Sequence, residues 1–341
     1  MGRSLRIETQ PIALRLAVIM LSGFGLLFLY ACGKSEMKDD LSLIMERLSA
    51  SGETNAAPWM PELERGFAAY DARDVVTAAQ FLSAAHARGC TDPLLLYRLA
   101  VVLEKQGESG EAASMYLKLE PDLAALYPEH PFRSGLFINL GNIEYRAERF
   151  LSAFTMYEKA LLAVNSGAGG SKSEIYYSMG MALLRLERYA EAANWMEKAD
   201  KNDFRVNYYL ASVYKELHKH DLAMQRMRRA VQVEPNSSRA LGSLAHFYYA
   251  LSDREEQEMR FDAAGTAIEQ AIVFYRRAVA AGGDIYQENL QAAEWRVNDL
   301  KRLQAAAKQG LIQRQSVEEE DLSDPGIPPP EIPKSFFDAN P

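Results

Sequence analysis

Few residues in this chain are of a type and spacing that could do chemistry. They are Cys32, Cys90, the pair His218 and His220, and the acidic run Glu318-Glu319-Glu320-Asp321. Cys32 closes an apolar run and is directly followed by Gly33 and a charged stretch, a place where a thiol is available for modification. Cys90 lies in a stretch expected to be a turn between helices and reads as a small apolar residue packed there rather than a reactive thiol. His218-Lys219-His220 has a metal-ligand spacing but falls in a turn between two expected helices. The acidic run reads as solvated tail. The sequence contains no phosphate-binding loop, nucleophile elbow or zinc-protease helix. Two cysteines cannot make a disulfide scaffold or a four-cysteine metal site. The reading is therefore non-enzymatic, with no cofactor and no metal.

The residues around Cys32 must be placed by the segment before them. Arg3, Arg6 and Arg15 precede a run from Leu16 to Ala31, the order of a secretory signal. As a helix, 16 residues span roughly 24 Å, short for a comfortable membrane crossing. The ending Leu29-Tyr30-Ala31-Cys32-Gly33 resembles the bacterial lipoprotein signal, with Leu at −3, a small residue at −1 and the acylated Cys; Tyr30 departs from the usual residue at −2. The resemblance implies cleavage after residue 31, diacylglyceryl and N-acyl (palmitate-type) chains on Cys32, and an anchor made durable by several chains. An uncleaved single span is the alternative. Both put the rest of the chain outside the cytoplasm, in the cell envelope or periplasm, at an inner or outer membrane. Residues 32–58 read as a mobile lipidated tether with one transient amphipathic helix from Leu41 to Leu48.

Between 59 and 283 the apolar residues recur at helical spacing, and the segments resemble one another. Clear units are Phe137…Leu140-Gly141 with Ala153, Tyr157 and Ala160; Met179-Gly180 with Ala192, Met196 and Ala199; and Leu210-Ala211 with Ala223, Met227, Ala230 and Pro235. These resemble the tetratricopeptide repeat, a 34-residue helix–turn–helix. The small residue of the first helix admits the second helix closely, and paired small residues on the second make a socket. Aligning the small residues gives Gly66, Ala100, Gly141, Gly180, Ala211 and Ala245, separated by 34, 41, 39, 31 and 34. The extra residues fall at 127–131 and 166–171. In the last unit the matching Ala271, Tyr275 and Ala278 arrive about 14 residues late, which predicts a hairpin with both helices two turns longer, projecting from the array. His220 falls where the repeat carries an aromatic after a Gly-like turn residue, and is expected to fill that slot. The implied fold class is all-α: a right-handed superhelical solenoid of five to six helix-turn-helix hairpins with a C-terminal capping helix at 284–310, which contains Trp295. Such a cap shields the last repeat. Residues 311–341, acidic and Pro-rich, read as a disordered tail.

In this family first helices line a concave groove, where positions three before, one after and four after each small residue face inward. The resemblance thus nominates Tyr97, Ile138, Asn142, Tyr145, Tyr177, Met181, Tyr208, Lys215, His246 and Tyr249 as groove residues, with Arg146 at the same edge. Recurring tyrosines and scattered arginines suit an extended or helical peptide. A clamp for a C-terminal carboxylate, found in some relatives, fits only partly, because Ser178 stands where it needs a second Asn.

Net charge −8, with no Lys/Arg-rich run, argues against nucleic acid, and no small-molecule substrate is expected. The composite expectation is a lipid-anchored scaffold that docks a protein or peptide in an envelope complex. The alternative is an accessory docking or ligand-handling subunit of a periplasmic solute transporter, as in TRAP-associated lipoproteins with similar repeats.

Overall fold

The computed structural model describes residues 40–50, 57–128, 130–167 and 169–311. The expected leader, Cys32, the tether up to residue 39 and the tail from residue 312 lie outside the described residues.

Those described form fourteen α-helices, one short 3-10 turn and no strand. α1 is Asp40–Ala50. Six antiparallel hairpins follow: α2 (Met60–Asp71) with α3 (Val75–Ala87), α4 (Pro93–Lys105) with α5 (Ser109–Leu126), α6 (Phe132–Arg146) with α7 (Phe150–Asn165), α8 (Lys172–Arg185) with α9 (Tyr189–Met196), α10 (Phe204–Glu216) with α11 (His220–Val233), and α12 (Ser238–Gln257) with α13 (Phe261–Ala280). A 3-10 turn (Asp284–Tyr286) leads into α14 (Gln287–Lys308). The chain divides into two compact units, one ending at Ala199 and one beginning at Asp200. This is the expected all-α architecture of successive helix-turn-helix hairpins followed by a C-terminal helix.

Helix starts are written in short polar side chains. Asp74, Asp92, Ser171, Asp203 and Ser237 each accept a hydrogen bond from a backbone N–H of the first turn. Pro93 follows the Asp92 cap, where a missing N–H costs nothing.

The hairpins share one internal geometry. The residue two before each second helix has a left-handed backbone: Arg73, Gly107, Glu148, Glu187, His218 and Met259. In the first five hairpins it stands seven residues after the small residue, as from Gly66 to Arg73 and from Gly180 to Glu187. The side chain 16 places beyond the small residue then lands on it. A Cβ at Gly66 would stand 2.6 Å from a Leu82 methyl, one at Gly141 would strike the Tyr157 ring, and one at Gly180 the Met196 side chain. Leu82, Tyr116, Tyr157, Met196 and Met227 are all buried.

The sixth hairpin shows how the extra residues are absorbed. Met259 stands seven residues after Ser252, which itself stands seven after Ala245. Ser252 is buried, and its hydroxyl donates to the Ala264 carbonyl at 2.9 Å. Ser252 thus repeats the small-residue role beside the turn, with Ala264, Ile268 and Ala271 as its socket. Ala245, Tyr275 and Ala278 form a second layer deeper in the hairpin. Each helix has gained one heptad, which turns the helix face by only about 20° and so keeps both layers in register.

Four expectations change. The long hairpin does not project bare, because α14 runs along it: Arg296 pairs with Glu256 at 2.6 Å and Asp253 at 2.5 Å, and the Gln304 amide donates to the Phe261 carbonyl at 2.9 Å. The covering face of α14 is made by Leu290, Ala293 and Leu300, while Trp295 is 69% exposed on the opposite side. His218 does hold the Gly-like turn conformation, but His220 is exposed and fills no aromatic slot. Finally, α1 is not a transient helix of a loose tether. Ile44 is fully buried and Leu48 nearly so.

Candidate partner-binding faces

In the first unit, the nominated positions divide by exposure. Tyr97 is buried against Tyr116 and Phe132, with ring centres 5.8 and 5.2 Å away, and burial raises its pKa above the ordinary phenol value. Met181 is also buried. Neither presents a face to a ligand. Asn142 is half-buried, and its amide oxygen accepts from the Tyr157 hydroxyl at 2.8 Å, so it ties α6 to the socket residue of α7. Arg146 is exposed and paired with Glu104 of the preceding hairpin at 2.5 Å. With Ser178 buried, these engagements leave no carboxylate clamp at Asn142, Arg146 and Ser178.

What remains accessible is an aromatic and aliphatic strip on α6 and α8. Ile138, Tyr145, Tyr177 and Leu184 are half-buried, Ile138 and Tyr145 packing against the core and the Tyr145 hydroxyl turned inward. Tyr145 meets the Phe150 ring edge-on at 5.3 Å, and the Arg185 guanidinium lies 4.6 Å from the centre of Phe150 and 5.9 Å from that of Tyr145. A planar cation lying over rings leaves apolar area and a charge on one surface.

α1 is tied to α4 of the second hairpin at both its ends. Asp40 pairs with Arg98 of α4, whose guanidinium also donates to the Tyr70 hydroxyl at 2.9 Å. Tyr70, Tyr97 and Phe132 surround that guanidinium at 4.8, 5.5 and 5.2 Å. At the other end Arg47 pairs with Asp92 at 2.6 Å. The Asp92 side chain is 1% exposed, caps α4, and accepts from the Tyr127 hydroxyl at 3.2 Å. Sequence reasoning noted the apolar spacing from Leu41 to Leu48 but missed Asp40, Arg47, Tyr70, Asp92 and Arg98, because no local pattern links charges 45 and 58 residues apart.

In the second unit Tyr208 is buried, stacked on Phe204 at 5.7 Å and 3.4 Å from the Ser243 hydroxyl. Lys215 is half-exposed beside Glu216. His246 is half-buried: its Nδ1 lies 2.5 Å from the Tyr275 hydroxyl, its ring faces Tyr275 and Tyr286 edge-on, and burial, aided by Lys215, lowers its pKa to about 4. The space a Cβ would take at Gly242 is filled by the Tyr286 ring. The Arg296 guanidinium lies 5.5 Å from the centre of Tyr249, with burial raising the pKa of that phenol. On the last hairpin, then, the inner positions are taken by the chain's own C-terminal helices.

A profile of the tetratricopeptide repeat matches residues 132–199, which are α6 to α9. Among solved structures, the C-terminal part of a TPR repeat-containing protein from Cytophaga hutchinsonii is similar at 16% identity and a TM-score of 0.52, covering 74% of this chain and all of that one. YrrB, described as a TPR protein with an unusual peptide-binding site, is similar at 20% identity and a TM-score of 0.44, covering 60% of this chain and 99% of its own. MamA is similar at 16% identity and a TM-score of 0.42, covering 55% and 97%. Among curated proteins, none matches the sequence. Residues 132–199 carry tetratricopeptide repeats, and the fold of the described residues is that of the tetratricopeptide-repeat superhelical solenoids.

Proposed function

We propose that these tetratricopeptide repeats form a non-catalytic scaffold that docks a protein or peptide, and that the chain is lipid-anchored at Cys32 in the bacterial cell envelope with its repeats extracytoplasmic. The observation that carries the docking role is the strip on α6 and α8. Ile138 and Tyr177 stay partly exposed on consecutive first helices, at the repeat position where Tyr97 and Tyr208 are buried, and Arg185 of α8 lies over Tyr145 and Phe150. Aromatic rings with few rotamers and a nearby guanidinium bind a peptide at small entropic cost.

Support for the anchor is the sequence around Cys32. Several acyl chains on one residue hold a protein at a membrane where a single chain holds it only marginally. The experiment that tests both parts is capture of the full chain from crosslinked cells, with a Cys32→Ser variant beside it. A discrete protein partner on the wild type, and transfer of the Cys32→Ser chain from membrane to soluble fraction with loss of labelled palmitate, is the expected result. Recovery of no protein partner would sink the scaffold, and unchanged membrane retention would sink the anchor.

A further inference from the structure

α1 is bound to the first unit in the way a separate helical peptide would be. At 11 residues it is too short to hold helical structure in water by itself. Its order comes from what it touches. Leu41, Ile44 and Leu48 supply anchors at i, i+3 and i+7, the spacing of a helix laid in a groove. Its acidic end meets Arg98 and its basic end meets Asp92. The receiving groups are Arg98 of α4 and its cap Asp92, with α2 and α3 lying between α1 and α4 in sequence, so α1 docks on the second hairpin rather than extending the first. Asp40 also lies near enough to His130, just before α6, to oppose the fall in pKa that burial imposes on that imidazole.

The receiving site is built for charge. Arg98 is held flat among Tyr70, Tyr97 and Phe132 with one carboxylate partner, Asp40. Asp92 is buried, its position fixed by the Leu94 N–H and Tyr127. A carboxylate so placed needs a cation above it, which only Arg47 supplies among the described residues. Two opposite charges at fixed places demand a helix of one polarity, acidic at its N-terminus and basic near its C-terminus. That polarity also complements the dipole of the incoming helix.

We infer that the Arg98–Asp92 face is a helix-recognition site which α1 fills in cis, and that the partner it takes is an amphipathic helix carrying the pattern of α1. That pattern is a carboxylate at the first position, aliphatic residues four and eight places later and an arginine at seven. The inference rests on the docking role proposed above and assigns it a second site, distinct from the Ile138–Tyr177 strip. Binding of such a helix and release of α1 are one exchange.

The test is titration of a labelled peptide of residues 40–50 against the full chain and against full-chain Ile44→Lys, whose own α1 loses its central anchor. The Ile44→Lys chain should bind the peptide at least about tenfold more tightly than wild type, because the competing segment has left. Adding Arg98→Ala to Ile44→Lys should abolish that gain. Asp40→Asn, a gentler change on the same segment, should give a smaller gain in the same direction. Equal binding to wild type and both single variants would overturn the proposal. So would collapse of the array's melting transition in Ile44→Lys together with no gain in Asp40→Asn, since α1 would then be part of the core. Capture through the Ile138–Tyr177 strip is measured on the same wild-type chain. Its persistence would confine the failure to this site, and its loss would sink the docking role as well.

Discussion

Gly180 of α8 and Met196 of α9 lie so close that a Cβ on the glycine would overlap the methionine side chain and sit 3.3 Å from the Ala192 carbonyl oxygen. The first obstacle is flexible and the second is backbone, so the helices must separate to admit even a methyl group. Gly180→Ala should cost roughly 1–3 kcal/mol by overpacking, partly offset by the better helix propensity of alanine. Met196→Ala in the same chain should recover part of the loss, since it vacates the occupied space. Urea unfolding of the two single variants and the double variant measures the coupling. A Gly180→Ala chain as stable as wild type would mean that the hairpin phase set by Gly180 is wrong.

The same contact explains how far this fold was legible in its sequence. Gly66, Gly141 and Gly180 announce close approach by composition alone, and Ala78, Ala153 and Ala192 announce the sockets opposite them, so the hairpins and their phase follow from local spacing. Ser252 did not announce itself. A serine in a charged stretch reads as surface, and only its bond to the Ala264 carbonyl shows it to be the small residue of an inserted layer. The partner faces were less legible still. Positions equivalent in the repeat need not be equally exposed: Tyr97 is closed over by Phe132 and Tyr208 by Phe204, while Ile138 and Tyr177 at the same repeat position stay partly exposed. The repeat pattern specifies which way a side chain points, and its neighbours outside the repeat decide what covers it.

Left-handed turn residues give a second prediction. Glu187 and Gly107 occupy the same place in two hairpins, with φ of 59° and 94°. A Cβ in that region costs roughly 1–2 kcal/mol, set against the greater chain entropy glycine loses on folding. Glu187→Gly should therefore stabilise the chain by up to about 1 kcal/mol, whereas Gly107→Ala should destabilise it by a similar amount although nothing lies within 4 Å of the added methyl. Thermal melts of both variants check this. Shifts of the same sign would show that the turns are not equivalent.

Tyr177 and Tyr208 should part company on substitution. Tyr208 is buried among Phe204, Tyr209 and Ser243, so Tyr208→Ala should lower stability by roughly 3–5 kcal/mol. Tyr177→Ala combined with Ile138→Ala acts on half-exposed side chains. It should leave the melting temperature within a few degrees while reducing partner capture severalfold. Unfolding curves and quantitative capture of both chains separate the two roles. Undiminished capture by the Ile138/Tyr177 variant would remove the strip from the binding surface.

His246 should make the second unit sensitive to acid. It faces Tyr275, Tyr286 and Lys215, and holding it among the rings lowers its pKa to about 4, against roughly 6.5 for an exposed histidine. Between those values the unfolded chain binds the proton and the folded chain does not, so stability rises with pH through that window. The contribution is fully present above about pH 6.5 and is lost as pH falls toward 4, reaching about 2 to 3 kcal/mol at pH 4.5. His246→Gln keeps a hydrogen-bonding group opposite the Tyr275 hydroxyl and removes the titration. Comparing urea midpoints at pH 7.5 and 4.5, the wild type should lose more stability than His246→Gln by that amount. Equal losses would assign the acid sensitivity to carboxylates paired in the same unit, such as Glu255 with Arg260, whose pKa is held below its ordinary value by the guanidinium.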